Sequence, residues 1–172
     1  YLFGAGHVGR ALILALAPLP FDVIWIDPRE GAFSSAVPSN VVTIQSGNPA
    51  AEIADAPPGS FALVMTHSHA LDLEIIDAVL RSPSFAYAGL IGSATKRARF
   101  SKRLREAGVA ENRIEELVCP IGIPSIKSKH PSAIAAATAV QLLERDEVLR
   151  CAESPLADSL RLDKVGAGRR AS

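Results

Sequence analysis

A glycine-rich stretch near the start constrains this chain most: residues 4–9 read G-x-G-x-x-G. An apolar run precedes it and a helical apolar pattern follows, which predicts a strand, a tight turn and a helix. In such a turn Gly4 permits the bend, Gly6 lets the backbone approach a phosphate, and Gly9 lets helix and strand pack closely. The stretch therefore predicts an anion site at the first amides of a helix, beside His7.

The alternation of strand and helix continues along the chain. Apolar runs typical of buried strands occur at residues 1–3, 21–26, 41–44, 61–65, 87–91 and 117–120. Helical patterns stand at residues 8–17, 71–80, 93–107 and 131–149. This order predicts an α/β fold with a doubly wound, mainly parallel Rossmann-like sheet and helices on both faces.

The length of 172 residues predicts one domain, which we place over residues 1–150. Residues 151–172 are rich in Ser, Ala, Gly and Arg and are predicted to form a flexible tail. The chain begins Tyr-Leu-Phe-Gly, inside a predicted strand and without Met. We therefore expect it to be a piece of a longer protein.

Composition excludes several classes of function. The 18 Lys and Arg balance the 18 Asp and Glu, which argues against a nucleic-acid partner. No apolar run reaches the ~18 residues that span a membrane, and no charged leader is visible, so we expect a cytoplasmic protein with no membrane partner. Two cysteines cannot build a disulfide framework.

Ligands of such a fold bind beyond the carboxyl ends of the strands. Asp27 ends the second predicted strand, where an acidic side chain accepts ribose hydroxyls. Arg29 follows two residues later and is either a phosphate contact or plain surface. Together with the glycine motif, Asp27 favours a nucleotide-like ligand, although the glycines could serve packing alone.

The fourth predicted strand is followed by Thr66, His67 and His69, with Asp72 a turn later. Thr66 and His67 are predicted to form a polar wall of the ligand pocket. An alternative is a metal site that uses His67, His69 and Asp72, since imidazole and carboxylate suit several divalent ions.

The fifth predicted strand is followed by Gly92 and Ser93, a sharp turn and a helix N-cap. The free amides of that helix, with Lys96 and Arg97 nearby, predict a second anion site. Six of the 18 basic residues fall within ten positions of this helix, so a neutral total hides a basic patch. Cys119, after the sixth strand, is either a reactive thiolate beside the crevice or a small buried apolar side chain.

These motifs follow one another in a fixed order: residues 3–9, Thr66-His67 with Asp72, residues 89–93 with Lys96-Arg97, and residues 120–122 before Lys129-x-Pro131. In this combination the chain resembles the xanthine dehydrogenase accessory family (XdhC/CoxI), from Tyr1 to about Glu144. The resemblance implies a C-terminal Rossmann-like domain. It also implies the function of a maturation factor that binds the molybdenum cofactor (molybdopterin).

Members of that family protect the cofactor while a cysteine desulfurase supplies its terminal sulfido ligand, and then insert it into a molybdenum hydroxylase apoenzyme. The resemblance therefore implies these two proteins as partners, and a chaperone without turnover of its own. The cofactor site predicted from the motifs and the resemblance comprises Gly4, Gly6, His7, Gly9, Asp27, Thr66, His67, Gly92, Ser93, Lys96 and Cys119.

Two other functions stay open. An NAD(P)-dependent oxidoreductase would use the glycines and Asp27, but no acid–base pair is identifiable beyond His67, and neither a G-x-S-x-G elbow nor a paired-carboxylate motif is present. A metal-binding or interaction module would use the histidines and dock through the basic helix. Apolar surface left by an absent N-terminal domain would favour a homodimer.

Overall fold

The structure, a computed structural model, describes residues 1–153, and the predicted tail beyond Glu153 lies outside the described residues. In chain order the elements are β1 Leu2–Phe3, α1 His7–Leu16, β2 Val23–Asp27, β3 Val41–Gln45, a 3-10 helix Pro49–Ile53, β4 Ser60–Val64, α2 His69–Arg81, β5 Phe85–Leu90, α3 Ala94–Glu106, α4 Glu111–Glu115, β6 Leu117–Val118 and α5 Pro131–Glu153.

The six strands form one sheet in the order β3-β2-β1-β4-β5-β6, and every pairing is parallel. The predicted Rossmann-like α/β fold is therefore confirmed. The strand order reverses between β1 and β4, which is the point where ligands of such sheets bind.

The sheet is buried on both faces, which explains why its strands are apolar without alternation. Phe3, with its neighbours on the central strands, faces the core under α2 and α3. Leu2 and Trp25 face the other core, under α1 and α5.

The structure differs from the sequence prediction in four elements, apart from shifts of a few residues at the ends of others. Helix α5 continues to Glu153, so residues 151–153 are helical and do not belong to the predicted tail. The 3-10 helix and α4 were not predicted, because five residues carry too little periodicity to stand out. Strand β6 is only Leu117–Val118. No helix among residues 1–153 is long and apolar enough to cross a membrane.

Two of the three motif glycines are required by the fold. Gly4 has a φ of +111°, and a Cβ there would lie 2.4 Å from the Met65 carbonyl oxygen. A Cβ at Gly9 would lie 2.3 Å from the Gly4 carbonyl oxygen. By contrast, a Cβ at Gly6 would meet nothing within 4 Å. The fold thus explains Gly4 and Gly9 but leaves Gly6 without a packing role.

We expect Gly9→Ala to destabilise the domain by about 2–3 kcal/mol, because the new methyl group collides with backbone that cannot move freely. Gly6→Ala should lower stability by less than about 1 kcal/mol, the difference in N-cap preference between the two residues. Urea unfolding of the two variants checks this order. Equal losses would contradict the assignment of Gly9 to packing.

Candidate functional site

The central strands end at one level, which brings the predicted motifs together. Phe3 of β1 pairs in register with Val64 of β4, which pairs with Leu90 of β5. The glycine turn and the loops after β4 and β5 therefore leave the sheet side by side. A Cβ on Gly4 would lie 3.0 Å from the Thr66 Cα, so the first two loops are in contact.

A cavity of about 470 Å³ lies between the loop after β4 and the start of α3. It is lined by Thr66, His67, His69, Ile91, Gly92, Ser93, Thr95, Lys96 and Arg99. The structure thus unites five of the predicted site residues in one cavity. The other six predicted site residues do not line it: Gly4, Gly6, His7, Gly9, Asp27 and Cys119.

Gly6 and His7 form an exposed edge at the start of α1. The first helical hydrogen bond runs from the Arg10 amide to the Gly6 carbonyl at 3.0 Å. The amides of residues 6–9 therefore have no partner within the helix. With open space at Gly6, this terminus is accessible to an anion.

Asp27 is completely buried, and protein groups engage its carboxylate. Its Oδ2 accepts hydrogen bonds from the Ala5 amide at 2.7 Å and from Arg29 Nη2 at 2.8 Å. Its Oδ1 accepts from the Arg29 amide and from Arg29 Nε, both at 2.9 Å. Asp27 therefore links the glycine turn to β2 by hydrogen bonds. The predicted contact between Asp27 and a ribose is incompatible with this arrangement.

The pKa of Asp27 reflects opposing causes. Burial tends to raise it, but the hydrogen bonds from Arg29 and Ala5 outweigh burial, so that the pKa of this carboxyl lies below its ordinary value of 3.8. The ionised form is therefore the one that holds the turn.

Asp72 joins the loops after β4 and β5. Its Oδ1 accepts from the Thr66 amide at 3.0 Å and from Thr66 Oγ1 at 2.7 Å. Its Oδ2 accepts from Lys96 Nζ at 2.6 Å, and Lys96 Nζ also donates to the Ile91 carbonyl at 2.9 Å. Asp72 is fully buried, and the Lys96 side chain is only 10% exposed. Thr66 and Lys96, predicted as ligand contacts, are thus committed largely to a buried network.

The alternative metal site is not assembled. Both Asp72 oxygens are engaged by Thr66 and Lys96. His69 Nδ1 lies 3.0 Å from Nη2 of Arg99, a permanent cation. Within residues 1–153, no group of three His, Cys, Asp or Glu side chains could hold a metal ion.

The remaining polar groups of the cavity come from α3 and from His67. Ser93 caps α3, since its Oγ accepts from the Lys96 amide at 3.2 Å. Thr95 and Arg99 line the same cavity but were not among the predicted site residues. Helical spacing was the available signal, because residues three apart, such as Lys96 and Arg99, share one face.

Gly92 and Cys119 pack against this network from the other side. A Cβ at Gly92 would lie 2.6 Å from Lys96 Cδ and 3.3 Å from Cys119 Sγ. Burial raises the pKa of the Cys119 thiol, although Lys96 and Arg97 act in the opposite direction. Cys119 therefore stands as a small buried side chain on the wall of a second cavity, of about 700 Å³.

Lys96→Met should destabilise the domain by about 3–5 kcal/mol, because it leaves the Asp72 carboxylate buried without its cation. The double variant Lys96→Met, Asp72→Asn should recover much of that loss, since no uncompensated charge remains. Urea unfolding of both variants checks the pair. A double variant as unstable as the single one would contradict the ion-pair account.

The lowered pKa of Asp27 also predicts a pH dependence. Because the pKa of Asp27 in the folded chain lies below the ordinary value of 3.8, the carboxylate stabilises the fold above that pH, and the contribution is lost as the pH falls through the folded pKa. The stability difference between the natural chain and Asp27→Asn should therefore shrink below about pH 4. A difference that grows on acidification would contradict the arrangement.

Comparison with known proteins places this site in a family. The family described as XdhC Rossmann domain matches residues 1–142. The uncharacterized protein YqeB of Escherichia coli K12 is 34% identical over 146 residues, which are 83% of this chain and 26% of that protein. A crystal structure described as a xanthine dehydrogenase from Bacillus halodurans matches with a TM-score of 0.71 and 25% identity, over 90% of this chain and 44% of that one.

This chain therefore spans about a quarter of the first relative and less than half of the second. The family match, however, covers most of the chain and includes every loop of the site described above. The resemblance read from the motifs is confirmed: the chain belongs to the XdhC Rossmann domain family.

Proposed function

We propose that this chain is the part of an accessory protein that holds the molybdenum cofactor for a xanthine-dehydrogenase-type molybdenum hydroxylase. It would shelter the cofactor while a cysteine desulfurase supplies the sulfido ligand, and release it to the apoenzyme. Membership of the XdhC Rossmann domain family supports this role, and so does the similarity to a protein described as a xanthine dehydrogenase.

The observation that carries the proposal is the open space at Gly6. The cofactor is an anionic heterocycle that bears a phosphate, so its site needs unpaired donors and room for close approach. Gly6 supplies the room, and the amides of residues 6–9 supply the donors. A glycine that the fold does not need, at a helix N-terminus, is well suited to a phosphate.

The charges around the 470 Å³ cavity fit the same ligand. On α3, Lys102 pairs with Glu106 and Arg105 pairs with Glu111, both away from the cavity. Arg99 lines the cavity and contacts His69, which is not an anion. Asp72 accepts hydrogen bonds from two residues of the cavity lining, Thr66 and Lys96, and its charge is neutralised by Lys96. The net character of the cavity is therefore cationic.

In this proposal the glycine turn holds the phosphate, while Ser93, Thr95 and Arg99 contact further polar groups of the ligand. The bound cofactor would supply a molybdenum centre that accepts a sulfido ligand. The chain's own residues bind and orient it. Binding and release of the cofactor require no proton transfer by Ser93, Thr95 or Arg99.

The proposal is tested by Gly6→Asp. Aspartate is a favoured N-cap, so thermal stability should be unchanged or raised. Its carboxylate would nevertheless occupy and repel the phosphate position, and affinity for isolated molybdenum cofactor should fall at least about tenfold, which corresponds to 1.4 kcal/mol. Fluorescence of Trp25 offers a readout, since it is the sole tryptophan and its Nε1 donates to the Gly4 carbonyl at 3.0 Å.

Gly47→Asp is the matched control. A Cβ at Gly47 also meets nothing within 4 Å, and Gly47 lies beyond β3, at the far edge of the sheet. This variant should bind the cofactor as the natural chain does. If Gly6→Asp retained full affinity, the glycine turn would not be the phosphate site and the proposal would fail.

A further inference from the structure

We propose that Arg29 determines ligand specificity by occupying both carboxylate oxygens of Asp27, so that ribose hydroxyls cannot donate to them. We name this ion pair the Asp27–Arg29 latch. It would let the glycine turn bind the phosphate of a ligand but would prevent Asp27 from binding a ribose next to that phosphate. This inference goes beyond the proposed function, because it concerns which ligands are refused rather than which one is carried.

Asp27 occupies the position at which a carboxylate would bind ribose. Asp27 is the last residue of β2, directly beside the glycine turn, and it accepts a hydrogen bond from the Ala5 amide. In dinucleotide-binding domains of this fold, a carboxylate at that place accepts the ribose hydroxyls. The chain thus retains the acceptor on which such recognition depends.

Arg29 removes that acceptor from reach. Its Nε and Nη2 donate to the two Asp27 oxygens at 2.9 and 2.8 Å, and its own amide donates to Oδ1. With the Ala5 bond, each oxygen already has two donors. The Asp27 side chain is 0% exposed, whereas the Arg29 side chain is 46% exposed and covers it. A ligand therefore meets the guanidinium first.

The energetics favour the latch over ribose. The Arg29 contacts are charge-assisted and paired, which makes them stronger than hydrogen bonds from neutral hydroxyls. A ribose would have to separate this pair and replace it with two hydroxyl donors. Removal of Arg29 should favour ribose, because a hydroxyl that donates to the freed, charged Asp27 carboxylate should raise affinity about tenfold or more.

The same turn provides a matched control. Arg10 is a second arginine at the glycine turn, but it donates to the Ala5 carbonyl at 3.3 Å and to the Ala32 carbonyl at 2.7 Å. It makes no hydrogen bond to Asp27. Arg10→Ala therefore removes the same charge from the same turn and leaves the latch closed.

The test compares ADP with 2′-deoxy-ADP, which carry identical phosphates and differ in one ribose hydroxyl. Trp25 fluorescence measures both dissociation constants. In the natural chain and in Arg10→Ala, the preference for ADP over 2′-deoxy-ADP should be close to one. In Arg29→Ala it should rise to about tenfold. Arg29→Gln, which cannot cover both oxygens, should show a smaller rise in the same direction.

Three outcomes would overturn the latch. A strong preference for ADP in the natural chain would mean that ribose is read with Arg29 in place. An unchanged preference in Arg29→Ala would mean that the opened Asp27 is not a ribose acceptor. Absence of ADP binding in every variant would mean that Arg29 does not control access. The latch rests on the glycine turn as a phosphate site, but none of these outcomes changes the result expected from the cofactor titration of Gly6→Asp, so a failure of the latch is distinguishable from a failure of the proposed function.

Discussion

The hydrogen bond from the Ala5 amide to Asp27 is the contact on which the glycine turn depends. It joins the end of β2 to the loop after β1, and the ion pair with Arg29 keeps the acceptor ionised and in place. The close approach of Gly9 to the Gly4 carbonyl then fixes where α1 begins. The unpaired amides at that helix start are consequently presented in one orientation. Preorganised donors bind an anion without a further ordering penalty.

The Asp72–Lys96 pair does the same for the neighbouring loops. Through Thr66 it holds the loop after β4, and through the Ile91 carbonyl it holds the loop after β5. The pair is buried, so it defines a rigid wall rather than a set of free charges. The groups left to meet a ligand are His67, Ser93, Thr95 and Arg99. Each half of the site thus uses one buried carboxylate as an anchor and leaves other donors open.

The sequence could predict the fold because local and global signals agree: glycine spacing, apolar strands and helical periodicity all indicate one parallel sheet. It could also predict that Thr66, Gly92 and Ser93 converge, since the ends of neighbouring parallel strands meet at one edge. It could not distinguish residues that contact a ligand from residues that hold the loops in place. Asp27, Thr66 and Lys96 stand at positions typical of ligand contacts, but they bond to protein partners that only tertiary structure brings near. The sequence places Arg99 in the basic patch of this helix but does not distinguish it as a ligand contact, because a basic helix face resembles ordinary solvated surface.

The central claim is that the amides at the start of α1 receive the phosphate of the cofactor. Amide nitrogen–proton NMR spectra of the chain, recorded with and without isolated molybdenum cofactor, test it most directly. The account predicts that the largest shifts fall on the amides of residues 6–9, with smaller ones at Ser93 and Thr95 and none at Gly47. Shifts confined to the amino ends of the strands, around Pro57 to Ser60, would contradict it.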